Sequence, residues 1–282
     1  MSSGAPVEPL PCGLYLVATP IGNLGDLTPR AEDVLRRASR VLAEDKRVSA
    51  KLLAHAGSTV PMARYDDHSS EADREAIVAR LGSEAIALVS DAGTPLISDP
   101  GYKLVRAARA AGHAIYTIPG PCAAIAGLTL SGLPTDRFLF LGFLPAKAKA
   151  RADALAEIAA VRATLVIYES GPRLHDGLAA LAEALGDRDA AVAREITKLH
   201  EECVTGTLSQ LAERYREAAP KGEIVIVVGP PAQVEVADTE LDSALDEALA
   251  TQSPSRAAAE VAERLGVPRK RAYARALEKA RD

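Results

Sequence analysis

The sequence feature that most constrains the fold is a long loop between a predicted strand and a predicted helix. Ala85–Val89 is a run of apolar residues with the length of a buried β-strand, and residues 102–111 have helical spacing that ends at Gly112. Between them, residues 90–101 read SDAGTPLISDPG, with two glycines and two prolines. Ligands of open α/β sheets bind just beyond the carboxyl ends of the strands. We therefore predict an α/β fold in which this loop binds a cofactor.

Two similar strand–loop–helix units lie in the first half of the chain. Residues 14–18 are apolar and run into a loop at 19–26, and residues 114–118 run into Pro-Gly-Pro at 119–121 followed by small residues. Small residues at the start of a helix let a ligand approach the backbone N–H groups. The pattern predicts one α/β domain over residues 12–134.

The second half of the chain has a different strand pattern. Residues 138–143 read FLFLGF and contain all three phenylalanines of the chain, which predicts a strand in the core. Residues 164–167, 190–193 and 224–228 are further apolar or β-branched runs. We predict a second α/β domain over residues 135–232, with more antiparallel pairing than the first.

Composition narrows the class of protein. The 282 residues carry a net charge of −5, so no global positive field favours nucleic acid. Cys12, Cys122 and Cys203 are far apart, which argues against disulfides and a structural zinc site. No apolar run approaches the roughly 20 residues of a membrane span, and residues 1–11 lack the pattern of a secretion signal. We expect a cytoplasmic protein with no metal site and no membrane anchor.

Two basic segments stand out against this acidic background. Residues 238–282 have a helical pattern with a turn at 266–268, typical of a helix-turn-helix. Residues 251–282 hold eight basic and four acidic residues, a net charge of +4. Such segments are typical of surfaces that contact RNA phosphates, whereas the plainer interpretations are a solubilising tail and a solvated loop. The second basic segment consists of Lys147, Lys149 and Arg151.

Charged residues also follow three predicted strands, at residues 44–47, 168–173 and 194–198. At the carboxyl edge of a sheet such groups are candidates for catalysis, although they are also common in solvated turns. The glycine loops have neither the G-x-G-x-x-G spacing of dinucleotide-binding folds nor the G-x-x-x-x-G-K-[ST] spacing of P-loops. A Rossmann dehydrogenase is therefore excluded.

Seven stretches in order carry a resemblance to a known family. They are residues 15–24, 43–47, 89–101, 119–124, 132–134, 142–145 and 168–170 with Arg173. Together they resemble the ribosomal RNA small-subunit methyltransferase I family. That family has the tetrapyrrole-methylase (class III) fold of S-adenosylmethionine-dependent methyltransferases. The resemblance covers residues 13–280.

The resemblance implies a two-domain α/β tetrapyrrole-methylase fold with a C-terminal helical extension and with S-adenosylmethionine between the domains. It also implies methylation of the ribose 2′-hydroxyl of a cytidine in the decoding region of 16S ribosomal RNA, within the small ribosomal subunit. This fold commonly forms homodimers. The residues that it assigns to the methyl donor are Pro20, Asp91, Ala92, Gly93, Thr94, Pro95, Ile97, Ser98, Pro119, Gly120, Ser170 and Val227.

A ribose hydroxyl is a poor nucleophile at neutral pH, so a base or an oriented hydrogen bond is expected. The candidates at strand ends are Asp45, Glu169 and Lys198, and the sequence does not choose among them. The expected RNA contacts are Arg47, Lys147, Lys149, Arg151, Arg173, Arg269, Lys270, Arg271 and Arg275.

Two other functions remain open on the sequence. One is a methyltransferase of the same fold that acts on a porphyrinoid, against which the basic segments argue because a small tetrapyrrole requires neither. The other is a non-catalytic RNA-binding assembly factor, against which the three retained ligand loops argue.

Overall fold

The computed structural model describes residues 9–217, 219–232 and 237–280. The chain divides into two compact units, Met1–Pro231 and Ala232–Asp282. The first unit contains two five-stranded sheets, and the second is helical. Across the described residues, no helix combines the length and the apolar character that crossing a membrane requires.

The first sheet is parallel throughout. Its strands are β1 (Gly13–Val17), β2 (Arg40–Ala43), β3 (Met62–Arg64), β4 (Ala85–Val89) and β5 (Ile115–Ile118). Their order across the sheet is β3-β2-β4-β1-β5. Because all five run in one direction, their carboxyl ends meet at the same edge. The loops that follow β1, β4 and β5 therefore emerge side by side.

Helices cover both faces of this sheet. They are α1 (Pro29–Arg37), α2 (Lys46–His55), α3 (Glu71–Arg80) and α4 (Tyr102–Ala110). The side chain of Thr28 fixes the start of α1, because its hydroxyl accepts a hydrogen bond from the Ala31 amide at 3.2 Å. Ser70 and Asp73 form a capping box that starts α3. Aliphatic side chains of α1 and α2 fill one face, and those of α3 and α4 fill the other.

The second sheet is mixed. Its strands are β6 (Phe138–Phe143), β7 (Thr164–Ser170), β8 (Asp189–Arg194), β9 (Glu202–Thr207) and β10 (Glu223–Val228), in the order β6-β7-β10-β8-β9. Only the β6–β7 pair is parallel, so the predicted antiparallel character is confirmed. One face packs against α6 (Ala148–Ile158), α7 (Leu174–Leu185) and α8 (Leu208–Arg214).

The prediction that FLFLGF is a core strand was right about the strand and only partly right about the core, since its central residues pack against the core and its ends are exposed. β6 lies at the edge of the second sheet, and Phe138 and Phe143 are 43% and 54% exposed. Gly142 has a φ of +64°, and the register with β7 shifts between Phe140 and Gly142. This bulge bends the edge strand. The rings at its two ends are exposed, whereas Phe140 is partly buried and packs against the core between the helix Ala123–Leu130 and the second sheet.

Helix α5 (Ala123–Leu130) connects the two sheets. It starts in the loop after β5 of the first sheet, yet its buried residues Ala124 and Leu128 pack against the second sheet. The contact is close because a Cβ atom on Gly127 would lie 2.6 Å from a methyl carbon of Val225. A glycine at this position therefore lets the helix lie directly on β10.

The second unit consists of three helices, α9 (Asp238–Leu249), α10 (Pro254–Leu265) and α11 (Arg269–Lys279). Gly266 ends α10 in the left-handed conformation, with φ of +66°. Apolar residues, mainly alanine and leucine, fill the space between the helices. The helix–turn–helix spacing predicted for this region is present.

Acidic residues of α9 pair with basic residues of α11. Arg275 makes a two-pronged ion pair with Asp242 at 2.6 and 2.7 Å, Arg271 pairs with Asp238 at 2.7 Å, and Lys279 with Asp246 at 2.9 Å. The excess of positive charge in residues 251–282 is therefore partly neutralised by a helix that precedes them. A charge count confined to 251–282 overlooks this helix.

Replacing Gly127 with alanine tests the contact between α5 and β10. We expect Gly127→Ala to lower the free energy of unfolding by about 1–2 kcal/mol, because the clash with Val225 outweighs the higher helix propensity of alanine. Gly82→Ala is the control, since a Cβ there meets only His113 at an ordinary 3.5 Å. Urea unfolding measures both; equal stability of the two variants would contradict the close contact.

Candidate active site

A cavity of about 150 Å³ lies between the carboxyl edge of the first sheet and the second sheet. The first sheet contributes the loops that follow β1, β4 and β5. The second contributes the end of β7, the start of β10 and the β8–β9 loop. Apolar side chains such as Ile21, Ile97 and Ile224 share its wall with charged ones such as Asp91 and Lys198. The site predicted from the loop at 90–101 is therefore built from both sheets.

Backbone hydrogen bonds fasten the three loops of the first sheet to one another. Thr19 and Gly93 exchange N–H···O bonds of 2.8 and 3.1 Å, which joins the loops after β1 and β4. Gly93 takes a φ of +83°, which glycine adopts without strain. The hydroxyl of Thr94 donates to the carbonyl of Pro121 at 3.0 Å and so adds the loop after β5. This wall of the cavity is therefore preorganised.

The walls also contain strained backbone. In the part of the chain that the structure describes, four residues other than glycine have positive φ: Leu96, Ser98, Glu195 and Thr197. Ser98 and Glu195 line the cavity, and the other two adjoin lining residues. Each such conformation costs of order 1–3 kcal/mol and persists where the surroundings impose it, often at functional sites. The strain lies in two loops, one from each sheet.

The strained loop after β8 presents an ion pair to the cavity. The ammonium of Lys198 lies 3.0 Å from the carboxylate of Glu195. Two glycines make room for this pair: a Cβ on Gly22 would lie 2.5 Å from Cε of Lys198, and one on Gly222 would lie 2.2 Å from Oε1 of Glu195. Lys198 therefore reaches from the second sheet across the first loop of the first sheet.

Asp99 is a cavity residue that the sequence did not single out. Burial, the nearby carboxylates of Glu44, Asp91 and Glu223, and the opposing effect of the Ser90 hydroxyl together raise its pKa to about 7. Burial and the charge of Asp91 likewise raise the pKa of Glu44. Carboxylates thus crowd one end of the cavity.

The three predicted catalytic residues lie in different surroundings. Lys198 and Glu169 line the cavity, whereas Asp45 does not. Asp45 caps α2, and its hydrogen bonds from the Arg47 side chain and amide lower its pKa to about 2. Glu169 is 1% exposed and is bound by the Ser170 amide at 2.8 Å and by Arg173 at 3.3 Å. Its other oxygen, Oε2, is buried without a protein hydrogen bond.

Half of the residues predicted to hold the methyl donor line the cavity. These are Asp91, Ala92, Gly93, Thr94, Ile97 and Ser98. The other six lie outside its wall: Pro20, Pro95, Pro119, Gly120, Ser170 and Val227. Val227 is fully buried, and its neighbours on β10, Ile224 and Val225, reach the cavity in its place.

Eleven lining residues were absent from the predicted set. Several directly follow a predicted residue in the same loop, so extending each loop by two or three positions would have found them. Among the second-sheet residues, Phe143, Tyr168, Glu195 and Ile196 lie in segments that the sequence had pointed to, at 142–145, 168–173 and 194–198, whereas those of β10 carried no such signal. The eleven are Ile21, Asp99, Cys122, Ala123, Phe143, Tyr168, Glu195, Ile196, Glu223, Ile224 and Val225.

The predicted RNA-binding residues fall into two groups. The first group is exposed and forms neither an ion pair nor a side-chain hydrogen bond with another described residue. It consists of Lys147, Lys149, Arg269 and Lys270. The others make contacts within the protein: Arg47 pairs with Asp45, Arg173 with Glu169 and the carbonyl of Leu144, and Arg271 and Arg275 with α9. Arg151 is partly buried, with Nε unpaired.

Within residues 9–217, 219–232 and 237–280, no group of three or more His, Cys, Asp or Glu side chains is placed to hold a metal ion.

Solved structures share the fold. A uroporphyrin-III-C-methyltransferase from Thermus thermophilus superposes with a TM-score of 0.55 at 23% identity, covering 77% of this chain and 93% of its own. Diphthine synthase superposes with a TM-score of 0.60 at 14% identity, covering 77% of this chain and 90% of its own. At these identities the likeness concerns the fold alone.

Sequence relatives are much closer. Proteins named ribosomal RNA small subunit methyltransferase I are 58% identical in Erythrobacter litoralis, covering 96% of both chains, and 48% identical in Mesorhizobium japonicum, covering 97% of this chain and 94% of the relative. The protein of that name from Escherichia coli O157:H7 is 44% identical, covering 94% of each.

Family models match both units of the chain. Residues 13–212 match the model of the tetrapyrrole (corrin/porphyrin) methylases, and residues 235–280 match the RsmI C-terminal HTH domain. With this coverage and these relatives, the chain is an S-adenosylmethionine-dependent methyltransferase of the tetrapyrrole-methylase fold, and it belongs to the ribosomal RNA small subunit methyltransferase I family.

Proposed function

We propose that this methyltransferase modifies the ribose 2′-hydroxyl of a cytidine in the decoding region of 16S ribosomal RNA. The observation that carries the proposal is the full-length match to relatives named for ribosomal RNA, which includes the C-terminal unit at residues 235–280. The fold alone is shared with enzymes named for tetrapyrroles, so it does not favour RNA. Exposed cations at 147, 149, 269 and 270 supply what a polyanionic substrate requires.

The cavity suits S-adenosylmethionine. Apolar side chains such as Ile21 and Ile224 offer a surface for a purine ring. Asp91 and Asp99, which form no ion pair with another described residue, offer a counter-charge for a cation. When bound, the donor supplies a methyl group on a positively charged sulfur, which an aligned oxygen displaces in line. Because alignment provides much of the rate of such a reaction, the rigid loops around Gly93 contribute to catalysis by positioning.

We assign the orientation of the ribose hydroxyl to Lys198. Its ammonium lies at the cavity wall and is held in place by Glu195 at 3.0 Å. The hydroxyl proton passes to solvent water as the oxygen attacks, and a hydrogen bond from the ammonium stabilises the negative charge that develops on that oxygen. A charged lysine cannot accept that proton, so its role is electrostatic.

The other two candidates act as positioning residues in this proposal. Asp45 is a weak base, since its pKa is about 2, and it organises α2 and Arg47. Glu169 is enclosed and holds Arg173, whose guanidinium also donates to the carbonyl of Leu144 at 2.6 Å. That contact fixes the start of the short loop that leads to Lys147 and to Lys149 in the first turn of α6.

We further propose that the substrate is presented within the small ribosomal subunit, in the cytoplasm, and that two copies of the chain associate. Exposed apolar side chains on α5 and β6 support self-association, namely those of Ile125, Leu130 and Phe138. The division of the first unit into an N-terminal part at 12–134 and a second part at 135–232 belongs to the same proposal.

The function is tested by mapping ribose methylation on 16S RNA from cells with and without the protein, and by assaying the purified enzyme on small subunits. We expect one decoding-region cytidine to lose its 2′-O-methyl group without the protein and to regain it in vitro. A methylated porphyrinoid precursor with unmodified RNA would support the tetrapyrrole alternative. Donor binding with no methyl transfer to any substrate would support the assembly-factor alternative.

Replacing Lys198 tests its catalytic role. We expect Lys198→Met to lower kcat about 100-fold, because an oriented donor in a dry site contributes about that much, with donor affinity little changed. Gly22→Ala should cause a smaller loss by displacing the aliphatic part of Lys198, whereas Gly25→Ala in the same loop meets only the Asn23 side chain and should retain activity. Full turnover of Lys198→Met would refute the assignment.

Removing exposed cations tests the RNA surface. One double variant combines Lys147→Gln with Lys149→Gln, and the other combines Arg269→Gln with Lys270→Gln. We expect each double variant to weaken RNA binding. Each should also reduce the slope of log affinity against log salt by about 2, one for each lost phosphate contact. Arg109→Gln, at an exposed residue of α4 outside both basic segments, is the control. Unchanged salt slopes would place the RNA elsewhere.

A further inference from the structure

Among the described residues, three carboxylates in the wall of the cavity form no ion pair. Of the carboxylates in its wall, Glu169 pairs with Arg173 and Glu195 pairs with Lys198. Within the described residues, no ion pair is formed by the remaining three. These are Asp91, Asp99 and Glu223, and Glu44 at the end of β2 adds a fourth negative charge beside them.

The backbone holds Asp99 in this arrangement. Ser98 before it has a φ of +63°, and Gly101 after it has a φ of +132°. A Cβ on Gly101 would lie 2.8 Å from Cδ2 of Leu88, so the turn sits directly on the core of the first sheet. Asp99 is therefore confined near Glu44, Asp91 and Glu223.

Confinement of like charges is unfavourable, and the repulsion is evident in the titration of Asp99. Burial raises its pKa most, and the charges of Glu44, Asp91 and Glu223 raise it further. The hydrogen bond of the Ser90 hydroxyl lowers it, and the resulting pKa is about 7. The phenol of Tyr168 faces the same region from β7, and burial raises its pKa as well. A cation placed among these groups would relieve the repulsion and favour the ionised carboxylates.

We propose that Asp99, together with Asp91 and Glu223, recognises the positive charge of the methyl donor, so that the cavity binds the cationic donor in preference to the neutral thioether product. The inference takes the identity of the donor from the family to which the chain belongs, and it does not depend on the RNA substrate. It assigns to Asp99 a specificity that favours release of the product.

The charges in the cavity determine how the affinity for the donor changes with pH. S-adenosylmethionine carries one more positive charge than S-adenosylhomocysteine. Below about pH 7 Asp99 is protonated in the free protein, so binding of the cation must release a proton. Donor affinity should therefore rise as pH increases from 6 to 8, whereas product affinity should change little.

Calorimetric titration of the full-length protein without RNA tests the proposal. The ligands are S-adenosylmethionine, S-adenosylhomocysteine and an analogue in which an aminomethine group replaces the sulfonium methyl and remains positively charged. At pH 8 we expect Asp99→Asn to weaken both cations about tenfold, equivalent to ~1.4 kcal/mol, and to leave the product within twofold of wild type. Asp153→Asn, at an exposed carboxylate on α6, is the matched control.

A second readout uses the wild-type protein and does not depend on the folding of a variant. In two buffers of different ionisation enthalpy at pH 6.5, binding of the donor should release a fraction of a proton, and binding of the product should not. Equal affinity for donor and product, or proton release that is the same for both, would overturn the proposal. Failure to methylate RNA would leave these binding results unaffected and would count against the proposed function alone.

Discussion

The packing of α5 against the second sheet is the contact on which the site depends. This helix begins where the first sheet ends its fifth strand, and Gly127 allows it to lie against Val225 of β10. As a result, the loops after β1, β4 and β5 face the β8–β9 loop and the end of β7. The cavity is a consequence of that arrangement, because neither sheet alone supplies both of its walls.

Charge is distributed in two distinct ways around this arrangement. In the helical unit, acidic side chains of α9 meet basic side chains of α11, as in the pairs of Arg275 with Asp242 and Lys279 with Asp246. Such exposed pairs contribute little to stability individually. Inside the cavity, Asp91, Asp99 and Glu223 have no such partners among the described residues, and the backbone holds Asp99 in place. Unbalanced charge in a rigid, partly buried wall is suited to recognising a ligand of opposite sign.

The sequence predicted the parts of the molecule that follow local rules. The strands at 14–18, 85–89 and 114–118 and the helix–turn–helix around Gly266 were predictable because hydrophobic period and turn chemistry are local. The three-residue strand Met62–Arg64 was missed, since it is too short and too exposed to show a period. The position of β6 at a sheet edge was missed because strand order is a long-range property.

The site was predictable to a similar extent. The loop at 90–101 was identified as a ligand loop from its place between a strand and a helix, and six of the predicted donor residues line the cavity. Asp99 could not be singled out, because the charges that surround it belong to Glu44 and Glu223, which are distant in sequence. The same holds for Glu195, whose close neighbour is Gly222. Crowding of charge and backbone strain become visible only when the chain is folded.

The central claim is that a single donor site is built from loops of both sheets, and hydrogen–deuterium exchange with and without S-adenosylmethionine tests it most directly. The account predicts that the donor slows exchange of backbone amides at residues 91–98, 122–124 and 195–198 together, with the same concentration dependence. Protection confined to the loops of the first sheet, with residues 195–198 unchanged at saturating donor, would contradict it.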